Sequence, residues 1–170
     1  MDIVYISEKY TDFLREHGDH RVSYNKENNY CRPYIGIVFM VNGNLFFAPL
    51  TSSNKGKKLI DSPKKENMTF FPLDECRLGG INLNNMIPVV EGVYKVVDYE
   101  FSPKDTEKAR ARKEKFNAQK KIIDENAKHI RRKGRVLYNL KTSGKLYENY
   151  DAITCDFEKL EAVAQTYVKT

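Results

Sequence analysis

Apolar and polar positions alternate in short runs through the first hundred residues, and the period then lengthens. Ile3-Val4-Tyr5-Ile6 is a β-branched and aromatic run that predicts a first strand. Ser7 follows as a candidate cap, with Tyr10, Phe13 and Leu14 at i, i+3 and i+4, which predicts a helix to about Glu16 stopped by Gly18. Residues 19–29 are polar and predict a loop. Tyr34 to Val41 and Leu45 to Ala48 are strand-like runs separated by Asn42-Gly43, the dipeptide that favours the two positive φ angles of a type I′ hairpin. Pro49 has no N–H for a ladder and is expected to end the second strand. Further short strands are predicted at Met68–Phe71, Gly80–Leu83 and Met86–Val90, with a turn at Asn84-Asn85, and a last one at Val93–Phe101.

From Ser102 the pattern turns helical. Ser102-Pro103 reads as a helix start. Ala109, Phe116, Ile123 and Ile130 recur every seven residues and, with Ile122 and Ala127, make a narrow apolar stripe on a charged helix. Gly134 is expected to stop it, with Val136, Leu137 and Leu140 in a short helix ending near Gly144. Asp156 is a candidate cap for a final helix whose apolar face is Phe157, Leu160, Val163, Ala164, Tyr167 and Val168. The expected class is α+β in one domain spanning 1–170, with 1–101 mainly strands plus one short helix and 102–170 mainly helical. Many short strands with tight turns point to a small, closed or half-closed antiparallel barrel.

Composition adds limits. At 170 residues with 41% hydrophobic and 12% aromatic content, the chain can bury a core, which excludes global disorder. No run of about 18 apolar residues exists, which excludes a helical membrane span. Met1 to Tyr5 lacks the basic and apolar regions of a secretory signal, so a cytoplasmic location is expected. Cys31, Cys76 and Cys155 are scattered and odd in number, so neither a disulfide framework nor a zinc knuckle is expected, and no cofactor.

Charge sharpens the picture. Lys104 to Arg135 carries 13 Lys and Arg against 5 Asp and Glu, while the remaining residues are slightly acidic. The whole basic excess therefore belongs to one segment, a candidate footprint for a polyanion. A solvated helix laced with salt bridges is the plainer reading. Phosphate-loop, dinucleotide, zinc-protease and serine-hydrolase motifs are absent. His17 and His20 lack a third ligand, Asp98 and Glu100 lack acidic partners, and His129 lies in the basic segment. What remains is a loop of hydroxyls and cations after a strand: Thr51, Ser52 and Ser53, then Lys55, Lys57 and Lys58. Phosphate oxygens suit that mixture, although such loops are often ordinary turns.

Several segments together resemble the ToxN/AbiQ family, the toxins of type III toxin–antitoxin systems, with the pattern nearest to members acting in phage abortive infection. The carriers are Tyr5-Ile6-Ser7-Glu8-Lys9-Tyr10, Tyr34-Ile35-Gly36-Ile37-Val38, Ala48-Pro49-Leu50-Thr51-Ser52, Gly80-Ile81-Asn82-Leu83 and Met86-Ile87-Pro88. The resemblance implies an endoribonuclease with an SH3-like barrel of the Kid/MazF kind, elaborated by helices. It implies as partners a small repeat antitoxin RNA, bound in a closed protein–RNA assembly, and substrate mRNA or phage RNA, with no DNA and no membrane. It carries catalytic roles to Tyr10, Thr51, Ser52 and Lys55, the last shifted one residue because Asn54 stands at the family's Lys position. Arg32 matches the family's basic residue before the Tyr-Ile-Gly strand, and the family's helix aromatic is replaced near Ile122. Lys57, Lys58, Lys120, Lys121, Lys128, Arg131, Arg132, Lys133 and Arg135 are the expected RNA-gripping cations. Such an enzyme would use the substrate 2′-OH as nucleophile without a metal, leaving a 2′,3′-cyclic phosphate and a 5′-OH. A non-catalytic RNA-binding module is the alternative, resting on the basic helix alone.

Overall fold

A computed structural model describes residues 1–24, 26–27, 30–52 and 67–168. In chain order the elements are β1 (Asp2–Ile6), α1 (Glu8–His17), β2 (Lys26–Glu27), β3 (Tyr30–Cys31), β4 (Pro33–Val41), β5 (Asn44–Thr51), β6 (Phe70–Pro72), β7 (Gly80–Asn82), a single 3-10 turn (Leu83–Asn85), β8 (Ile87–Val89), β9 (Tyr94–Val96), α2 (Glu107–Glu125), α3 (Ala127–Thr142), α4 (Glu148–Asp151) and α5 (Phe157–Ala164).

The class is α+β. The main sheet is antiparallel and runs β6-β7-β5-β4-β1-β9, with β8 also paired to β5, while β2 and β3 form a separate ribbon. Among the described residues the sheet does not close on itself: β6 and β9 stand at opposite ends of the path. The expected barrel is therefore corrected to an open sheet. The strands nearest the ends have three residues each, too few to carry pairing around.

The hairpin forms as expected, with Val41 opposite Asn44 and positive φ at Asn42 and Gly43. Pro49 does not end β5, which continues to Thr51. It lies opposite Tyr34 of β4, and on its other side between the stretch of β5 paired with β8 through Phe47 and that paired with β7 from Leu50, where no partner residue faces it among the described residues. The strand predicted over Val93–Phe101 is ordered as β9 only at Tyr94–Val96.

Three helical expectations change. Helix α2 begins at Glu107, not at Ser102-Pro103; Thr106 caps it, its hydroxyl accepting from the Ala109 N–H at 3.2 Å. The chain breaks at Asn126 into α2 and α3 instead of forming one helix. Gly134 is not a stop but a buried position inside α3. A Cβ there would lie 2.9 Å from Val38 and 3.3 Å from Met86, so the absent side chain lets the helix settle close on the sheet. Gly144, at φ +66°, follows the true end.

One continuous apolar core joins the sheet to the helices, with Phe46, Phe47, Ile35 and Ile81 from the sheet and Ile123, Ile130, Leu137 and Phe157 from the helices. Tyr138 stacks on Phe157 at 5.7 Å and meets Phe46 edge-on at 5.4 Å. Asp156 caps α5 by accepting from the Lys159 N–H.

A buried carboxylate ties the ends of this framework together. Asp19, just past α1, accepts from Arg21 Nε and Nη2 at 3.0 and 2.8 Å, and from the backbone N–H of Asp156 at 2.7 Å. Arg21 in turn reaches the carbonyls of Asp151 and Ala152. Burial pushes the Asp19 carboxyl up, but hydrogen bonds from the Arg21 side chain and from the Asp156 and Arg21 N–H groups outweigh it and hold the group at about 2.

Candidate active site

Strand β5 ends at Thr51, and the chain emerges onto the surface at Ser52. Thr51 is buried and Ser52 exposed. The bend is held from beneath by Gly79, whose φ is +88°; a Cβ there would sit 2.0 Å from the Thr51 carbonyl oxygen. Only glycine allows the chain entering β7 to lie so close under Thr51.

Thr51 and Ser52 open onto a cavity of about 240 Å³ shared with Arg32, Arg112, Lys115 and Gln119. Arg32 stands immediately before β4; its Nε donates to the Tyr24 carbonyl at 3.0 Å and its Nη1 to the Leu50 carbonyl at 3.4 Å. Arg112 lies over two rings, its Cζ 5.3 Å from the Tyr5 centroid and 5.5 Å from that of Phe116. Burial raises the Tyr5 phenol, with Arg112 opposing. Gln119 is 2% exposed. Its Nε2 donates to the Leu78 carbonyl at 2.8 Å, which fixes the amide orientation because that carbonyl only accepts. Gln119 Oε1 and Thr51 Oγ1 are both buried without a hydrogen-bond partner among the described residues. Buried polar atoms without partners are uncommon, and these two lie on residues of one cavity.

The sequence therefore names only part of this cavity. Thr51, Ser52 and Arg32 come together as expected. Arg112, Lys115, Phe116 and Gln119 were missed, although 112, 116 and 119 fall at i, i+4 and i+7 and so share one helix face. The aromatic side chain lining the cavity is Phe116. Tyr10 does not join: it is fully buried, its hydroxyl donates to the Pro88 carbonyl at 2.7 Å, and its ring meets Tyr167 edge-on. Burial moves that phenol upward, as a core tyrosine's does. Lys55, Lys57 and Lys58 lie outside the described residues.

The other expected cations divide. Lys120 is engaged near the chain start, 2.8 Å from Asp124 and 3.3 Å from Asp2, and the Met1 amine also pairs with Asp124. Lys133 donates to the Phe70 carbonyl at 2.8 Å. Lys121 and Lys128 are exposed. Arg131, Arg132 and Arg135 are exposed along α3 and line a groove with Ile37 and Met40 of β4. Next to it, His129 leans on Phe71 at 5.7 Å. Among the described residues no group of three or more His, Cys, Asp and Glu side chains is placed to hold a metal ion. No described helix is long and apolar enough to cross a membrane.

Cations and a hydroxyl around a surface cavity, with a further arginine-lined groove along α3, have the chemistry that suits phosphodiester oxygens. The chain belongs to the ToxN toxin family of type III toxin–antitoxin systems, which it matches over residues 2–165. It is 34% identical to the endoribonuclease ToxN of Bacillus thuringiensis subsp. kurstaki, covering 95% of this chain and 81% of that protein. It is 28% identical to the endoribonuclease AbiQ of Lactococcus lactis subsp. lactis, covering 96% and 87%. The abortive-infection member is thus no nearer than the ToxN one. A solved type III toxin, selectively inhibited by a non-coding RNA pseudoknot, superposes with a TM-score of 0.76 at 32% identity over 98% of this chain and 96% of that one.

Proposed function

We propose that this protein is an endoribonuclease toxin of a type III toxin–antitoxin system, acting in the cytoplasm as one domain and restrained by its own repeat antitoxin RNA. The observation that carries the reading is the meeting of Thr51 and Ser52 with Arg32, Arg112 and Lys115 around one cavity. The 2′-oxygen of the scissile nucleotide bonds to the adjacent phosphorus and gives its proton to water, the P–O5′ bond breaks, and the departing 5′-oxygen takes a proton from water. The products are a 2′,3′-cyclic phosphate and a 5′-OH. Charge accumulates on the phosphorane oxygens, where Arg32, Arg112 and Lys115 supply compensating charge and the exposed Ser52 hydroxyl supplies a hydrogen bond, Thr51 fixing the end of β5 beside it. A serine hydroxyl is a poor base at neutral pH, so Ser52 is assigned to positioning. The proposed route needs no metal, because the substrate's own 2′-OH is the nucleophile and the described cations around the cavity supply the compensating charge. The open sheet, in which β5 is shared by β8 and β7, is read as a relative of the small Kid/MazF-like barrel.

The α3 groove, with Arg131, Arg132 and Arg135, is assigned to gripping the antitoxin RNA, and the cellular or phage substrate enters at Ser52. The test is cleavage of the repeat RNA in EDTA by wild type and Ser52→Ala. The reading requires cutting by the wild type and a large loss in the variant. Salt-sensitive binding with no cut product would leave only an RNA-binding module.

A further inference from the structure

We infer that Tyr24 is a stacking platform for a nucleobase of the bound RNA, beside Arg32 of the Thr51-Ser52 cavity. The inference rests on the reading that this cavity takes RNA. A tyrosine ordinarily buries its ring and leaves the hydroxyl wet. Tyr24 is instead 65% exposed. Its ring is nevertheless held. The guanidinium of Arg15 lies on one face with Cζ 3.5 Å from the ring centroid. That guanidinium is itself anchored, Nη1 donating to the carbonyl of His20 at 2.8 Å and to that of Val22. The backbone is tied as well, because the Tyr24 carbonyl accepts from Arg32, one of the cations of the cavity.

A flat ring with one face closed by a fixed cation and most of its surface in water suits a second flat ring. A nucleobase fits best, because the two cations in contact with Tyr24, Arg15 and Arg32, draw in the phosphates on either side of it. Arg32 joins the two places, lining the cavity at Ser52 and donating to the Tyr24 carbonyl, so a nucleotide near the scissile phosphate is the one proposed to stack. Stacking would hold the nucleotide still while imposing little sequence preference, since every base has a π-face. Tyr24 is thus a positioning residue and takes no part in bond making.

The chain contains no tryptophan, so Tyr24→Trp introduces a single indole. The probe is a single-stranded RNA with 2′-O-methyl groups throughout, which binds but is not cut. Its binding should quench the indole. Tyr24→Phe should bind as wild type does, and Tyr24→Ala should bind about tenfold more weakly, the order expected for one lost base stack. Abasic replacement at one nucleotide should weaken wild-type binding to the Tyr24→Ala level and cost that variant nothing more. The inference is overturned by an unquenched indole, by equal binding of Tyr24→Ala and wild type, or by a loss that no abasic position removes. Quenching by the uncut probe, alongside a wild type that cuts no ordinary RNA, would keep the platform and discard the nuclease.

Discussion

Gly79→Ala isolates the contact that shapes the active-site bend. The substitution adds one methyl group at φ +88°, with the Thr51 carbonyl oxygen 2.0 Å away, the Thr51 carbonyl carbon 3.2 Å away and the Ser52 carbonyl carbon 3.4 Å away. Two costs combine. An L-residue at positive φ costs about 1–2 kcal/mol. Displacing packed backbone adds about 1–3 kcal/mol, since a strand held by β4 and β7 yields less than a side-chain tip. Their sum, about 2–5 kcal/mol, is smaller than the ~5–15 kcal/mol stability of an ordinary domain, so the variant folds. Gly43 supplies the control. Its φ is +78° with nothing within 4 Å of a Cβ, so Gly43→Ala carries the conformational cost alone. Urea unfolding of both variants should show Gly79→Ala losing about 1–3 kcal/mol more. At a temperature where both are folded, Gly43→Ala should cleave RNA as wild type does. Gly79→Ala should be slowed at least about tenfold, because small misplacements of positioning groups are costly. Equal destabilisation of the two, or full activity in Gly79→Ala, would refute the claim that this contact sets Thr51 and Ser52.

Two further outcomes follow from other parts of the molecule. Asp19 is held at about 2 in the folded chain against an ordinary 3.8, so it favours the folded state above pH ~4, and that contribution fades as pH falls toward 2. It amounts to about 2 kcal/mol, so Asp19→Asn should unfold at lower urea at pH 7, and its deficit should shrink between pH 4 and 2; parallel curves for the two proteins would reject the linkage. Reversing the groove charges with Arg131→Glu and Arg132→Glu should weaken antitoxin binding more than cleavage of a short substrate, and unchanged antitoxin affinity would return this face to a solvated helix.

Local chemistry made much of the fold legible. Asn42-Gly43 needed no distant partner to specify its turn, and Asp156 needed only the first turn of α5 to act as a cap. Errors arose where tertiary context overrode a local rule. Pro49 is tolerated inside β5 because it falls between the stretches paired with β8 and with β7, and Gly134 continues α3 because the sheet presses against it. Neither circumstance is written in neighbouring residues. The same divide runs through the site. Thr51, Ser52 and Arg32 sit in recognisable segments, and the structure brings them together. Arg112 and Gln119 were hidden in a segment whose many charges made any one of them unremarkable. Tyr10 shows the converse, since a motif position turned out to be packed under β8 with its hydroxyl on Pro88.

The central claim is that the cavity at Ser52 directs a ribose 2′-OH onto its own phosphate. The direct measurement uses an RNA cut at one mapped position, prepared with a single 2′-deoxy nucleotide immediately 5′ of that bond. The wild-type protein should leave this bond intact while binding the oligonucleotide normally, and on the unmodified RNA it should leave a 2′,3′-cyclic phosphate. Cleavage of the deoxy-substituted bond at the ordinary rate would require a different nucleophile and would contradict the mechanism.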